Sequence, residues 1–260
     1  MTNIKEPAKN FKSQKKLLEV KVNRREDITD DLLKIWIEKP EEYIFKPGQY
    51  CTIGINGIER AYSIVSAPYE RDLELFVELV PENEGGVLTP LIWDLSAGDS
   101  ITIRPRAKGI FVFNNEWRKH LLLATVTGVV PYVSFIRDYI KKIEKQELQS
   151  TQHEMHVLMG ASYLDEFTYD SELEEAASKY PDLVTFVPTV SRPDEQKNAL
   201  WTGAKGRVNA IVEDYINDKE LSPEDTLIYA CGHPGMIEDV KSKMVPLGFT
   251  VDEERFWKED

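Results

Sequence analysis

The chain has 260 residues, 42% hydrophobic and 30% charged, with a formal net charge of −13. This is long enough for one large or two ordinary domains with real cores, and the composition excludes a disordered protein. The acidic balance excludes nonspecific nucleic-acid binding, and the longest apolar runs are far too short to span a bilayer.

From residue 17 to about 106 the chain reads as short strands. Segments 18–22 and 33–37 alternate apolar and polar residues, and strands are expected over 50–55, 61–65, 73–80 and 100–103. Lys46-Pro47-Gly48, Asn56-Gly57, Ala67-Pro68 and Ala97-Gly98-Asp99 separate them as turns. Many short strands at such spacing predict an antiparallel barrel or sandwich, here interrupted by one helix near 88–95. After Trp117 the rhythm changes to strand–helix alternation. Strands are expected over 120–126, 155–159, 183–187 and 226–231, with helices over 130–143, 171–179, 208–216 and 235–244. That alternation predicts a doubly wound parallel sheet. The expected fold is therefore an all-β antiparallel barrel domain over 1–115 followed by an α/β domain over 116–260. The boundary falls in 114–118, with the two domains packed directly together.

Four sequence blocks carry chemistry. Arg60-Ala61-Tyr62-Ser63 follows the Asn56-Gly57 turn on a strand, so Arg60 and Tyr62 share a face. A cation for phosphate beside a flat ring suits a dinucleotide with a planar redox ring. Gly85-Gly86-Val87-Leu88-Thr89 opens the helix of the first domain, where backbone N–H groups and a hydroxyl can meet an anion. Ala124-Thr125-Val126-Thr127-Gly128 lies at a carboxyl strand end of the second domain, where open parallel sheets bind ligands. Cys231-Gly232-His233-Pro234-Gly235-Met236 occupies another such strand end. Two histidines, His153 and His156, stand three apart on a strand and so point to opposite faces, which argues against a metal site.

These blocks, in this order, resemble those of the bacterial-type ferredoxin–NADP reductase family. The Arg-x-Tyr-Ser segment resembles that family's flavin signature, and Gly86 to Thr89 resembles its Gly-x-Leu-Ser/Thr diphosphate segment. Cys231, Gly232, Pro234 and Met236 resemble its Cys-Gly-x-Pro-x-Met block. The resemblance implies an FAD-binding barrel and a nicotinamide-binding domain that exchange electrons between NADP(H) and a ferredoxin or flavodoxin. It implies FAD contacts from Arg60, Tyr62, Ser63, Phe76, Val77, Leu79, Gly86, Val87, Leu88 and Thr89. It also implies nucleotide contacts from Thr127, Gly128, Ser191, Arg192, Arg207, Cys231, Gly232 and Met236, with Ser63 and Cys231 at the reacting centre. The tail through Phe256-Trp257 resembles the family's aromatic C-terminus, so Trp257 is expected to cover part of the FAD.

Two departures bear on the nicotinamide site. Val126 stands where the family's loop has glycine, and a β-branched residue tolerates positive φ poorly. The loop is then expected either to take another path or to alter the approach of the nucleotide. Ser162-Tyr163 stands where a third phosphate-gripping arginine is often found, so a modest NADPH preference is expected from Arg192 and Arg207. An NADH-dependent reductase serving an oxygenase or free flavin, and an FAD electron-transfer subunit without NADP turnover, remain the alternatives. Two cysteines exclude a four-thiolate iron–sulfur cluster in this chain, and residues 1–13 lack a secretory apolar region. A cytoplasmic monomer is the expectation. Its carrier partner would dock transiently through a local basic patch, drawn from Lys12, Lys15, Lys16, Arg24, Arg25, Arg104, Arg106 and Lys108.

Overall fold

The computed structural model describes residues 17–255. Its first half is a six-stranded antiparallel sheet of β1 (Leu18–Asp27), β2 (Leu32–Glu38), β3 (Tyr50–Ile55), β4 (Ile58–Ser63), β5 (Asp72–Glu78) and β6 (Ser100–Ile103). The strand order is β4-β3-β6-β1-β2-β5. Just beyond β4, the Val65 N–H donates to the Glu74 carbonyl on β5 at 2.9 Å, which draws the two ends of the sheet together into a nearly closed barrel. The alternating apolar residues of β1, β2 and β5 fill its interior, among them Val20, Val22, Leu33, Ile35, Ile37, Leu73 and Leu75. Asn56 and Gly57 both adopt positive φ (52° and 81°), the two-residue turn whose twist matches a hairpin. This tight turn starts β4 at Ile58, three residues earlier than the sequence pattern places it.

The second half carries β7 (Lys119–Thr125), α2 (Val130–Glu144), β8 (Glu154–Ala161), α3 (Asp170–Lys179), β9 (Val184–Val190), β10 (Ala204–Lys205), α4 (Val208–Asp218), β11 (Thr226–Gly232), α5 (Pro234–Met244) and β12 (Thr250–Arg255). All six strands pair in parallel in the order β10-β9-β8-β7-β11-β12. The all-β and doubly wound classes expected from the sequence are both present. β10 and β12 are additions. β12 is a charged segment, Thr-Val-Asp-Glu-Glu-Arg, whose pairing with β11 no apolar alternation announces. The chain's direction reverses between β7 and β11, so the loops after those strands flank the switch point where such sheets bind ligands.

The two halves share one apolar core. Leu32, Val65 and Phe76 of the barrel pack in the same cluster as Tyr132, Phe135 and Tyr169 of the α/β half. A polar clasp reinforces this contact. Glu74 on β5 is 3% exposed and accepts from Arg137 Nη1 of α2 at 2.7 Å and from the Tyr169 hydroxyl at 2.8 Å. The remaining edge of the Arg137 guanidinium grips Glu172 of α3 at 2.6 and 2.8 Å. Among the described residues no helix is long and apolar enough to cross a membrane.

Candidate functional site

Two cavities open along the junction of the halves. The first, about 600 Å³, is lined by Arg60, Tyr62, Ser63, Phe76, Leu79 and residues Gly86 to Thr89, with Thr127 and Val130 from the second half. The second, about 370 Å³, is lined by Thr125, Val126, Thr127, Ser191, Arg192, Arg207, His233 and Met236, with Glu78 from the barrel. Glu78 and Thr127 belong to both walls, so the cavities adjoin.

The first cavity collects most of the flavin contacts expected from the sequence. Arg60 lies exposed on β4, with Nη1 donating to the Glu59 carbonyl at 2.8 Å. Tyr62 is half-buried against the barrel core, and Ser63 is buried. Val77 is different: its side chain sits within the barrel core and is absent from the cavity wall, because successive strand residues face opposite sides. The glycine loop lines the cavity and also has internal packing duties. A Cβ at Gly86 would lie 1.7 Å from the Val80 carbonyl oxygen, so glycine is required there for loop packing. The Gly85 and Gly86 N–H groups donate to Glu82 and Pro81, and the Thr89 hydroxyl donates to the Val80 carbonyl at 2.8 Å. What remains for an anion is the Thr89 and Leu91 N–H groups at the start of α1 (Thr89–Trp93), because Pro90 has no N–H and the Ile92 N–H donates to the Leu88 carbonyl at 3.0 Å.

This wall fits FAD. Arg60 supplies a cation for a diphosphate, Tyr62 a ring face, and Ser63 a hydroxyl. Val80 and Val87, 39% and 47% exposed, also line the cavity as apolar surface that a planar ligand would cover. Trp257 lies outside the described residues, as do Lys12, Lys15 and Lys16.

The floor between the cavities is built by contact of two loops. A Cβ at Gly128 would stand 2.1 Å from the Cys231 carbonyl oxygen, and one at Gly232 would stand 2.2 Å from Thr125 Oγ1. The His233 N–H donates to that same Thr125 hydroxyl at 2.8 Å. Val126 meets the conflict posed by its sequence: it adopts φ +40° and remains in the cavity wall. The loop thus keeps a left-handed residue without glycine, at a cost of roughly 1–2 kcal/mol. Its side chain, packed against the adjoining core, supplies the compensation.

Cys231 is fully buried, behind the cavity wall. Burial pushes its thiol pKa well up, and the Glu254 charge adds to the effect. Glu254 is the residue that sequence reasoning misses. It pairs with Cys231 in the β11–β12 register, so both side chains take the same face of the sheet. Across the junction, Ser63 Oγ donates to Glu254 Oε2 at 3.0 Å. Burial raises the Glu254 pKa to about 7, although the Ser63 hydrogen bond pulls it down. Glu254 therefore links two strands of the α/β half to the barrel, paired in register with Cys231 and bonded to Ser63, which lines the first cavity.

Thr127, Ser191, Arg192, Arg207 and Met236 line the second cavity. Arg192 is not an idle cation: its Nη1 donates to the Tyr163 hydroxyl at 2.8 Å. Several residues of the expected basic patch are likewise engaged. Arg25 caps the carbonyl end of α1 through Ile92, Trp93 and Leu95. Arg104 holds Glu59 through two hydrogen bonds of 2.9 and 2.7 Å, and Arg24 pairs with Glu26 over the Trp36 ring. His153 meets His120 and the Trp117 carbonyl, whereas His156 meets the Tyr215 hydroxyl.

Residues 122–242 match the oxidoreductase NAD-binding domain family. A ferredoxin–NADP reductase of Azotobacter vinelandii is 30% identical over 203 residues, covering 75% of this chain and 76% of that protein. The ferredoxin–NADP reductase of Pseudomonas aeruginosa is 29% identical over 214 residues, covering 80% of this chain and 81% of that one. A ferredoxin NADP+ reductase from Neisseria gonorrhoeae, solved with bound FAD and NADP, superposes with a TM-score of 0.78 at 23% identity. That match covers 93% of this chain and 99% of the other, and shows the same fold. The fold agrees with that of the solved reductase, and with 30% identity over three quarters of both chains the chain belongs to the ferredoxin–NADP reductase family.

Proposed function

We propose that this protein is an FAD-dependent oxidoreductase that exchanges electrons between NADP(H) and a one-electron carrier protein such as a ferredoxin or flavodoxin. The observation that carries this reading is the shared wall of Glu78 and Thr127, which sets a flavin-sized cavity directly against a nucleotide cavity. A flavin and a nicotinamide nucleotide held there would occupy adjoining cavities, the placement that hydride transfer needs. FAD, when bound, supplies the conversion between two-electron hydride chemistry and one-electron transfer. The protein supplies placement and a proton. Arg60 and the first turn of α1 would hold the diphosphate, and Tyr62 would offer its ring to the flavin.

Glu254 is suited to hold or release a proton near neutrality, because its pKa lies at about 7. Ser63 connects it to the first cavity. When Glu254 is ionised, the Ser63 hydroxyl donates to it. When Glu254 is protonated it can donate to Ser63 Oγ instead, which frees the serine proton to point into the cavity. Arg192 and Arg207 favour a 2′-phosphate, so NADPH is preferred modestly over NADH. The carrier protein docks transiently, and its approach weakens with added salt.

Anaerobic mixing of the flavin-loaded protein with NADPH is expected to bleach the flavin absorbance. An FAD-loaded protein that stays yellow would point instead to an electron-transfer subunit without NADP turnover. Arg60→Ala is expected to loosen FAD by about 1–2 kcal/mol, less than a buried charge-assisted contact because the guanidinium is exposed. Flavin retention on dilution checks this, and unchanged retention would remove Arg60 from the site.

A further inference from the structure

One wall of the second cavity is formed by Ser191, Arg192 and Arg207, and the protein places a carboxylate of its own against that wall. The Tyr163 hydroxyl donates to Glu195 Oε2 at 2.6 Å while it accepts from Arg192 Nη1 at 2.8 Å. The second Glu195 oxygen lies 3.6 Å from the same guanidinium nitrogen. The Tyr163 ring also carries two cations, Arg192 with its guanidinium carbon 5.3 Å from the ring centroid and Lys197 with its ammonium at 4.7 Å. Glu195 is therefore the anion in direct contact with this small cationic cluster, and Glu166 adds to the negative field at Arg192 from farther away. The Glu195 backbone is fixed from below. Asn198, 2% exposed, donates to the carbonyls of Ser162 and Arg192 at 2.9 and 2.8 Å, and accepts from the Leu164 N–H at 2.9 Å. The loop bearing Glu195 is thereby pinned to the strand end that bears Tyr163.

We propose that Glu195 is a specificity-determining residue that competes with the nucleotide's 2′-phosphate for Arg192. The inference rests on the nicotinamide-nucleotide reading of the second cavity. A 2′-phosphate carries nearly two negative charges, so it must displace the Glu195 carboxylate or sit beside it. A ribose 2′-hydroxyl meets no such penalty, and a carboxylate can accept its hydrogen bond. The same arrangement would limit Arg192 and Arg207 to a modest preference for the phosphorylated nucleotide. One of the two cations is already partnered, and Tyr163 relays that partnership.

The test is calorimetric binding of 2′-phospho-AMP and of AMP to the full flavin-loaded chain, its Glu195→Gln and Arg192→Ala variants, and the double variant. Glu195→Gln keeps the shape of the side chain and removes its charge. It is expected to tighten 2′-phospho-AMP by about three- to fivefold, the scale of one half-exposed ion pair, with AMP changed by less than about twofold. In the Arg192→Ala background that gain is expected to shrink by more than half, because the contested cation is gone. Equal tightening of both probes, or an undiminished gain without Arg192, would mean a general charge effect and overturn the competition. Unchanged binding of 2′-phospho-AMP by Glu195→Gln would overturn it too, with the nucleotide site intact. Failure of all four proteins to bind either probe would overturn the nucleotide site and this inference together.

Discussion

Replacing Arg137 by alanine is expected to destabilise the protein by about 3–5 kcal/mol, because it strands a buried carboxylate. Glu74 is 3% exposed, and without Arg137 it would keep only the Tyr169 hydroxyl and its weaker surroundings. Removing one partner of such a pair costs far more than the pair itself contributes, since the other charge stays out of water unpaired. Lysine cannot rescue the geometry. It presents a single point charge, whereas Arg137 reaches Glu74 with one nitrogen and holds Glu172 with two others. Adding Glu74→Gln to Arg137→Ala should recover a substantial part of the loss, because the stranded charge is then gone. Denaturant melts of the parent, both single variants and the double variant measure each term. A loss below about 1 kcal/mol for Arg137→Ala would show that the Glu74 carboxylate reaches water or another cation. The clasp also has a kinetic side. It ties β5 of the barrel to α2 and α3, so it helps keep the two cavities in register, where a displacement on the order of 1 Å can cost about 100-fold in rate.

The sequence carried much of this architecture, and its failures have physical causes. Alternation located β2, which buries one face, whereas unbroken apolar runs located β7 and β8, which are buried on both faces. The Arg60-to-Ser63 and Cys231-to-Met236 blocks were legible as short local patterns, and the fold brings Arg60, Tyr62 and Ser63 to one cavity and His233, Gly235 and Met236 to the other. β12 escaped because its stability comes from pairing with β11, and its side chains are charged and partly exposed at a sheet edge. Glu254 was hidden for the same reason: its partner Ser63 lies 191 residues away and meets it only once both halves have folded. Thr89 and Gly86 have structural roles that their types did not announce: the hydroxyl holds the Val80 carbonyl and the missing Cβ allows close packing, while both residues line the first cavity. Val126 shows that a residue disfavoured in a local conformation can still hold it when its side chain packs against a core.

Glu254→Gln is expected to slow proton-linked electron transfer by about 100-fold or more while making the protein more stable at alkaline pH. Glutamine keeps the size of the side chain and can still accept from Ser63 Oγ, but it cannot take up and release a proton. In the parent, the proton-linked rate should follow an ionisation near pH 7, the value to which burial raises this carboxyl. That ionisation should vanish from the variant's pH profile. The stability effect follows from the same shift. A carboxyl raised from an ordinary 4.5 to about 7 makes the folded state bind the extra proton between those values. Its stabilising contribution is present below the unfolded pKa and is lost as pH rises through about 7. By pH 8 the ionised side chain costs the fold up to about 3 kcal/mol, which glutamine avoids. Stopped-flow reoxidation by a one-electron acceptor across pH 5–9, with thermal melts over the same range, reads both effects. A variant that is less active and also less stable at pH 8 would make Glu254 a structural anchor for Ser63. A variant with unchanged rates and an unchanged pH profile would place the proton elsewhere. Loss of the ionisation together with a gain in alkaline stability is the signature of a partly buried carboxyl kept for its proton.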